Sequence, residues 1–243
     1  MGKYSNIFKR TEKKYLITYE QSLLLLEKIG EYLRPDDYGL STINNIYFDT
    51  PDFRLIRASI EKPNVYKEKL RIRCYGSPNA ETNTFVELKK KYKGVVYKRR
   101  VSMTYEDAIN YLCKKQPPPE PSQITKEIDY FVRFYKNLRP RVSLFYDRMA
   151  YYSKTDRELR ITFDTNIRFR MKNLDISQGS EGYCILDDRY RLMEIKSADS
   201  MPLWLVDALS ELKIYPTSYS KYGMCYRVIM KAKSKQAATA VGK

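Results

Sequence analysis

The chain has 243 residues, 45 Lys and Arg against 29 Asp and Glu, a formal charge of +16, and no histidine. That length suits one large domain or two small ones, enough for a real core. The missing histidine excludes Ser-His-Asp and Cys-His nucleophile chemistry and every metal site with imidazole ligands, so any general base must be a carboxylate, Lys, Tyr or Cys. Hydrophobic residues at 43% and aromatics at 14% argue for a globular chain. The basic excess calls for an anionic partner: nucleic acid, an acidic membrane surface or a polyanionic small molecule.

The first strand is predicted at residues 11–18, followed by a helix over 19–33 in which Leu23, Leu26 and Ile29 recur at helical spacing and which Pro35 ends. Residues 43–49 (INNIYFD) alternate as a strand. Thr50 and Pro51 then read as N-cap and first position of a short helix through Ile60. Strands follow at 66–75, 84–92 and 95–103, the last two joined by the Lys93–Gly94 turn. Thr104 caps a helix through Lys115, prolines at 117–119 and 121 break the chain, and 122–138 is helical again. Strands at 141–152 and 159–170 precede a polar stretch, two strands at 184–187 and 191–197, and helices at 202–214 and 223–233. The expectation is one α+β domain over 1–234 and a flexible tail over 235–243.

Cys74, Cys113, Cys184 and Cys225 are isolated, form no Cys-x-x-Cys, and read as reduced thiols. No apolar run approaches the ~20 residues of a membrane span, and no apolar segment follows the charges of the start as in a signal peptide. A cytoplasmic chain is expected.

Side chains alternate across a strand, so residues i and i+2 share a face. Glu12 and Lys14 fall together, as do Lys69, Arg71 and Arg73; Glu87, Lys89 and Lys91; Lys98 and Arg100; Arg160, Thr162 and Asp164; Glu194 and Lys196. Arg148 shares its side with Tyr146 and Tyr152. The opposite faces carry Leu70, Ile72 and Cys74; Val95, Tyr97, Val101 and Met103; Leu159, Ile161 and Phe163; Met193 and Ile195. A solvated face would intersperse both signs to limit repulsion. Strands basic on one side and apolar on the other therefore suggest one concave basic surface backed by helices, although an ordinary exposed basic face fits the same pattern. Tyr15, Tyr47 and Tyr97 read as packing residues, and Trp204 as packing against the sheet.

The stretches RTEKKYLI, NNIYFDTPDF, KLRIRCYG, FVELKKKYKGVVYKRRV, FYDRMAYY, LRITFDTNIR, LMEIKS and SYSKYG occur in the order and spacing of a known domain. Over residues 8–227 the chain resembles the VTC-type polyphosphate polymerase domain of the triphosphate tunnel metalloenzymes, relatives of the CYTH proteins. The resemblance implies an eight-stranded antiparallel β-barrel, a tunnel with helices outside, whose interior cations bind a triphosphate beside a divalent metal. Lys14 resembles the first-strand phosphate lysine, Arg71 and Arg73 the paired arginines, Lys89 the lysine of the Glu-x-Lys motif, and Lys98 and Arg100 the basic pair of the return strand. Arg148 and Arg160 are similar to the two further arginines, and Glu194, with Lys196 beside it, to the metal-side glutamate. Ser220 and Lys221 resemble the Ser-Lys pair that meets nucleotide phosphates. Glu12 and Glu87 either join Glu194 at the metal or pair with neighbouring bases.

The hydrolytic CYTH branch opens with Glu-x-Glu-x-Lys, whereas this window reads Arg10-Thr11-Glu12-Lys13-Lys14. Fewer acids and more bases suit holding a long polyanion better than two-metal activation of water. The reaction so implied is transfer of the ATP γ-phosphate to a growing polyphosphate chain with Mn²⁺ or Mg²⁺, with ATP and polyphosphate or pyrophosphate as ligands and any membrane-protein partner separate. A metal-dependent tripolyphosphatase or nucleoside triphosphatase and a non-catalytic polyphosphate-binding module are the alternatives. Nucleic acid is disfavoured, because its readers interleave bases with exposed aromatics on an open surface.

Overall fold

Alternating burial along successive segments builds a large antiparallel sheet. The computed structural model describes residues 11–61, 65–93, 95–198 and 200–241. Among these, the strands are β1 (Thr11–Thr18), β2 (Leu33–Pro35), β3 (Ser41–Asp49), β4 (Tyr66–Tyr75), β5 (Asn83–Tyr92), β6 (Val95–Thr104), β7 (Arg139–Ser153), β8 (Arg160–Arg170), β9 (Tyr183–Cys184) and β10 (Tyr190–Ser197). The helices are α1 (Tyr19–Ile29), α2 (Arg54–Ile60), α3 (Tyr105–Cys113), α4 (Gln123–Phe134), α5 (Leu203–Glu211) and α6 (Lys221–Val241). Hydrogen bonding follows the order β1-β10-β8-β7-β3-β4-β5-β6, with β2 on β7 and β9 on β8 off that path. The path holds the eight antiparallel strands that the resemblance implied, and among the described residues it is open at β1 and β6.

Two compact units share the chain. One comprises Met1–Ser41, Asp147–Asn166 and Leu186–Tyr219; the other comprises Thr42–Tyr146, Ile167–Ile185 and Ser220–Lys243. Each is assembled from three separate stretches, so the proline break at 117–121 does not divide them. The first unit packs Tyr15, Ile17, Ile161, Phe163, Met193 and Ile195 of its strands against Leu25 and Ile29 of α1 and Leu205 and Leu209 of α5. The second packs Ile46, Phe48, Leu70, Ile72, Val86 and Leu88 against Ala108, Leu112, Ile128 and Phe131 of α3 and α4. In both, one strand parity is buried beneath helices, which leaves the opposite parity to carry charge.

Capping sets the helix starts. Thr18 and Gln21 form a reciprocal box on α1, and Thr104 and Ser122 cap α3 and α4 as their spacing predicts. The α2 start differs from expectation: the helix begins at Arg54, with Phe53 left-handed at φ 60°. Thr50 Oγ1 still accepts the amide of Arg54, and the carboxylate of Asp49 accepts from the amides of Thr50, Leu55 and Ile56, so the two residues together satisfy the donors of the later start.

Four further details differ from the sequence reading. Residues 30–32 form a 3₁₀ turn and Leu33 already belongs to β2, so α1 stops before Pro35 acts. The apolar parity of β6 is buried at Met103 and partly buried at Val101, which packs on the core, whereas Val95 and Tyr97 are about half exposed. Trp204 stacks on Tyr32 at 4.6 Å, giving it a ring partner rather than the sheet alone. Finally, α6 runs through Val241 and takes in residues 235–241 of the stretch expected to fray. The cysteines are all free thiols.

Leu70, fully buried between Ile72 and Leu88 on the reverse of the basic parity of β4, tests the layer. Leu70→Ala should lower unfolding free energy by about 2–5 kcal/mol in a urea titration.

Candidate functional site

Register places the cations of the second unit opposite one another. Lys69, Lys89 and Lys98 align across β4, β5 and β6, and one step along, Arg71, Glu87 and Arg100 align. Like charges directly opposite on neighbouring strands repel, so the lysine row is unfavourable without a counter-anion. Glu87 is the anion the chain itself supplies. Its side chain is 2% exposed. Oε2 accepts from Arg71 Nε at 2.8 Å and Nη2 at 2.6 Å, while Oε1 meets Arg100 Nε at 2.7 Å and Lys98 Nζ at 2.9 Å. Burial acts to raise the carboxyl's pKa, but the Arg71, Arg73 and Lys98 cations outweigh it and hold Glu87 well below the usual carboxylate range. Burial likewise pushes the Lys98 ammonium down, against the pull of Glu87.

Strand β3 adds the polar partners. Arg71 Nη1 donates to Tyr47 Oη at 2.9 Å, and Arg73 donates to Asn45 Oδ1 at 3.0 Å and Tyr146 Oη at 2.8 Å. From the start of α6, Ser220 Oγ accepts from Lys69 Nζ at 3.0 Å, and Lys221 Nζ lies 4.6 Å from the centre of the Tyr146 ring. Lys89 is exposed, and among the described residues no ion pair is recorded for it.

The first unit carries a more acidic cluster. Lys14 faces Glu194 across β1 and β10, and its Nζ stands 3.4 Å from Glu12, 3.6 Å from Glu194 and 3.2 Å from the Tyr219 carbonyl, to which it donates. Arg148 grips Asp164 with both arms at 2.6 and 2.7 Å and reaches Glu194 at 3.6 Å. Lys196 approaches Glu12 at 4.0 Å, and Arg160 pairs with Asp36 at 3.0 Å while covering the Tyr152 ring at 4.9 Å.

The predicted site residues therefore form two groups. Arg71, Arg73, Lys89, Lys98, Arg100, Ser220 and Lys221 gather in the second unit, and Lys14, Arg148, Arg160, Glu194 and Lys196 in the first. Of the metal candidates, Glu87 is engaged by three cations, whereas Glu12 and Glu194 flank one lysine. Among the described residues no group of three His, Cys, Asp or Glu side chains could hold a metal alone. Magnesium-type ions are held by one or two carboxylates with substrate phosphates and water, a pattern that Glu194 and Glu12 fit. Arg10, the departure from the hydrolytic pattern, lies outside the described residues.

Asn45 and Asp36 escaped the sequence reading, Tyr146 was placed only on the side of Arg148, and Tyr47 was read as packing alone. Parity of INNIYFD, with Ile46 and Phe48 on the apolar side, could have put Asn45 and Tyr47 on the charged face. Tyr97, read as packing, is exposed instead.

Two solved structures share the fold. One, from Bacillus halodurans and described as a candidate adenylate cyclase, is 16% identical with a TM-score of 0.52, covering 86% of this chain and 92% of its own. The other, a candidate adenylate cyclase from Vibrio parahaemolyticus, is 10% identical with a TM-score of 0.50, covering 89% and 97%. At those identities the likeness defines a fold class. The family follows from sequence: the VTC domain model matches residues 9–230, and the chain belongs to the VTC domain family. A curated relative, vacuolar transporter chaperone complex subunit 4 of Schizosaccharomyces pombe, is 28% identical over 181 residues. That match covers 65% of this chain but 24% of the relative, so the chain spans about a quarter of that protein's length. No helix among the described residues is long and apolar enough to cross a membrane.

Glu87→Gln should lower the melting temperature near neutral pH. The folded pKa of Glu87 is depressed, so its contribution is fully present above the unfolded value of about 4.3 and is lost as pH falls below it towards the folded value. Melts across that window should show wild type and variant converging on the acid side.

Proposed function

We propose that the chain is a polyphosphate polymerase that transfers the γ-phosphoryl group of ATP to the end of a phosphate chain. The observation that carries this reading is the lysine row Lys69, Lys89 and Lys98, whose Lys98 joins Arg71 and Arg100 on one buried carboxylate, Glu87. Membership of the VTC domain family supports it.

In the transfer, a terminal oxygen of the phosphate chain forms a bond to the γ-phosphorus, the bond from that phosphorus to the bridging oxygen breaks, and ADP leaves. The transition state is loose and its charge is spread over phosphoryl oxygens, so positioning and cations supply most of the catalysis. The acceptor is already ionised, and a chain without histidine needs no proton shuttle. Arg71, Arg73 and Arg100 offer forks for paired oxygens; Lys69, Lys89 and Lys98 act as point charges. Glu87 holds three of these groups in place before substrate arrives, so little reorganisation is needed on binding. Within the first unit, Lys14, Arg148, Arg160 and Lys196 are cations suited to phosphate oxygens, and Lys14 and Arg148 stand beside Glu194.

Glu194 with Glu12 would hold Mn²⁺ or Mg²⁺, which when bound neutralises phosphate charge and orients its oxygens. The scarcity of carboxylates favours polymerase over hydrolase. The relative's name makes it a complex subunit; a separate membrane-protein partner for this chain, and cytoplasmic placement, belong to the same proposal.

Incubation with ATP and Mn²⁺ should yield ADP together with long phosphate chains on a gel. Orthophosphate without chains would convert the reading to a triphosphatase, and no turnover with retained polyphosphate binding would leave a binding module. Glu194→Gln should abolish metal-dependent turnover and weaken Mn²⁺ binding measured by calorimetry. Arg71→Ala should weaken tripolyphosphate binding about tenfold or more, the worth of one charge-assisted contact at ~1.5–3 kcal/mol.

A further inference from the structure

The NNIYFD stretch of β3 and the SYSKYG stretch that opens α6 meet through two tyrosines. Tyr222, 2% exposed, stacks on Tyr47 with ring centres 4.6 Å apart and planes 15° from parallel. Its hydroxyl donates to Asp49 Oδ2 at 2.9 Å. The same carboxylate takes the amides of Leu55 and Ile56 at 2.9 and 3.1 Å, so Asp49 is fixed by α2 and is itself fully buried. Desolvation drives the Tyr222 hydroxyl well above its ordinary pKa, with the Asp49 charge adding to it, so it stays a donor.

Both ends of this assembly touch the phosphate cluster. Tyr47 accepts from Arg71, which Glu87 grips. Tyr222 directly follows Ser220 and Lys221, and Ser220 accepts from Lys69 and from the amide of Gly223 while its carbonyl accepts from the amide of Met224. Gly223 closes the turn: a Cβ there would stand 3.1 Å from Ser220 Cβ, 3.2 Å from Ser220 Oγ and 3.3 Å from Ile60 Cγ2, tighter than ordinary contacts. The start of α6 thus has little slack, and Tyr222 is its bolt.

We propose that Tyr222 is a positioning residue: hydrogen-bonded to Asp49 and stacked on Tyr47, it sets Ser220 and Lys221 in register with Lys69 and Arg71 for one phosphate group. This deepens the proposed function and rests on that reading of the cluster. It assigns Tyr222 no contact with substrate. The ring stack fixes the helix start laterally, and the hydroxyl bond fixes its rotation, so Tyr222→Phe keeps the packing and releases the orientation.

The experiment is a double-mutant cycle on tripolyphosphate affinity by calorimetry, with Tyr222→Phe, Ser220→Ala and the pair. Tyr222→Phe should weaken binding about 3–10-fold. In the Ser220→Ala background the same change should cost measurably less on the logarithmic scale, since one of the two groups it aims is gone. Gly223→Ala should weaken binding in the same direction. A purely structural Tyr222 would give equal losses in both backgrounds, and additivity therefore overturns the inference. If wild-type protein binds no tripolyphosphate, the phosphate reading of the cluster falls and takes the inference with it. If binding and coupling hold but ATP yields no chains, only the polymerase reading fails.

Discussion

Repulsion between cations sharing one sheet face is the constraint on which the rest depends. Neighbouring strands bring opposed side chains within about 5 Å, where like charges destabilise the pairing. In the second unit the relief is one buried carboxylate: Glu87 sits in the central strand of β4, β5 and β6 and meets Arg71, Lys98 and Arg100. A buried charge of that kind is costly unless each oxygen is paired, and here each is paired at least once. Lys69 and Lys89 face each other across β4 and β5, next to that carboxylate.

The first unit answers the same constraint with more acids. Asp164 takes the fork of Arg148, Asp36 takes Arg160, and Glu12 and Glu194 stand on either side of Lys14. Glu194 differs from Glu87 in setting: it stands beside Lys14 and Arg148 in the first unit, whereas Glu87 is gripped by Arg71, Lys98 and Arg100 in the second. A metal ion at Glu87 would have to displace three cations. Glu87 is thereby the internal counter-ion of its row.

Most of the scaffold was legible in the chain order of residue types. Period-two alternation located β1, β4, β5 and β10 within a residue, and Thr18, Thr104 and Ser122 marked helix starts because a hydroxyl before an apolar run satisfies free amides. Thr50 does accept the amide of Arg54, but the α2 start was placed too early because Asp49 takes the next two amides and the chain turns through a left-handed Phe53 that no local pattern announces. The basic faces were legible for the same reason as the strands. Their partners were not: Asn45, Tyr47 and Tyr146 are ordinary polar residues until register sets them against Arg73 and Arg71.

The composition and parity of the sequence determined that an excess of cations lies on one side of paired strands, with an apolar layer on the other. They also determined that any chemistry there runs without histidine. What only the tertiary structure decided is which carboxylate balances which cations. Glu12, Glu87 and Glu194 have the same chemistry and the same alternation, and no spacing rule separates them. Register and burial do, because an ion pair depends on distances between strands that are remote in the chain, and those distances are set when the apolar faces pack.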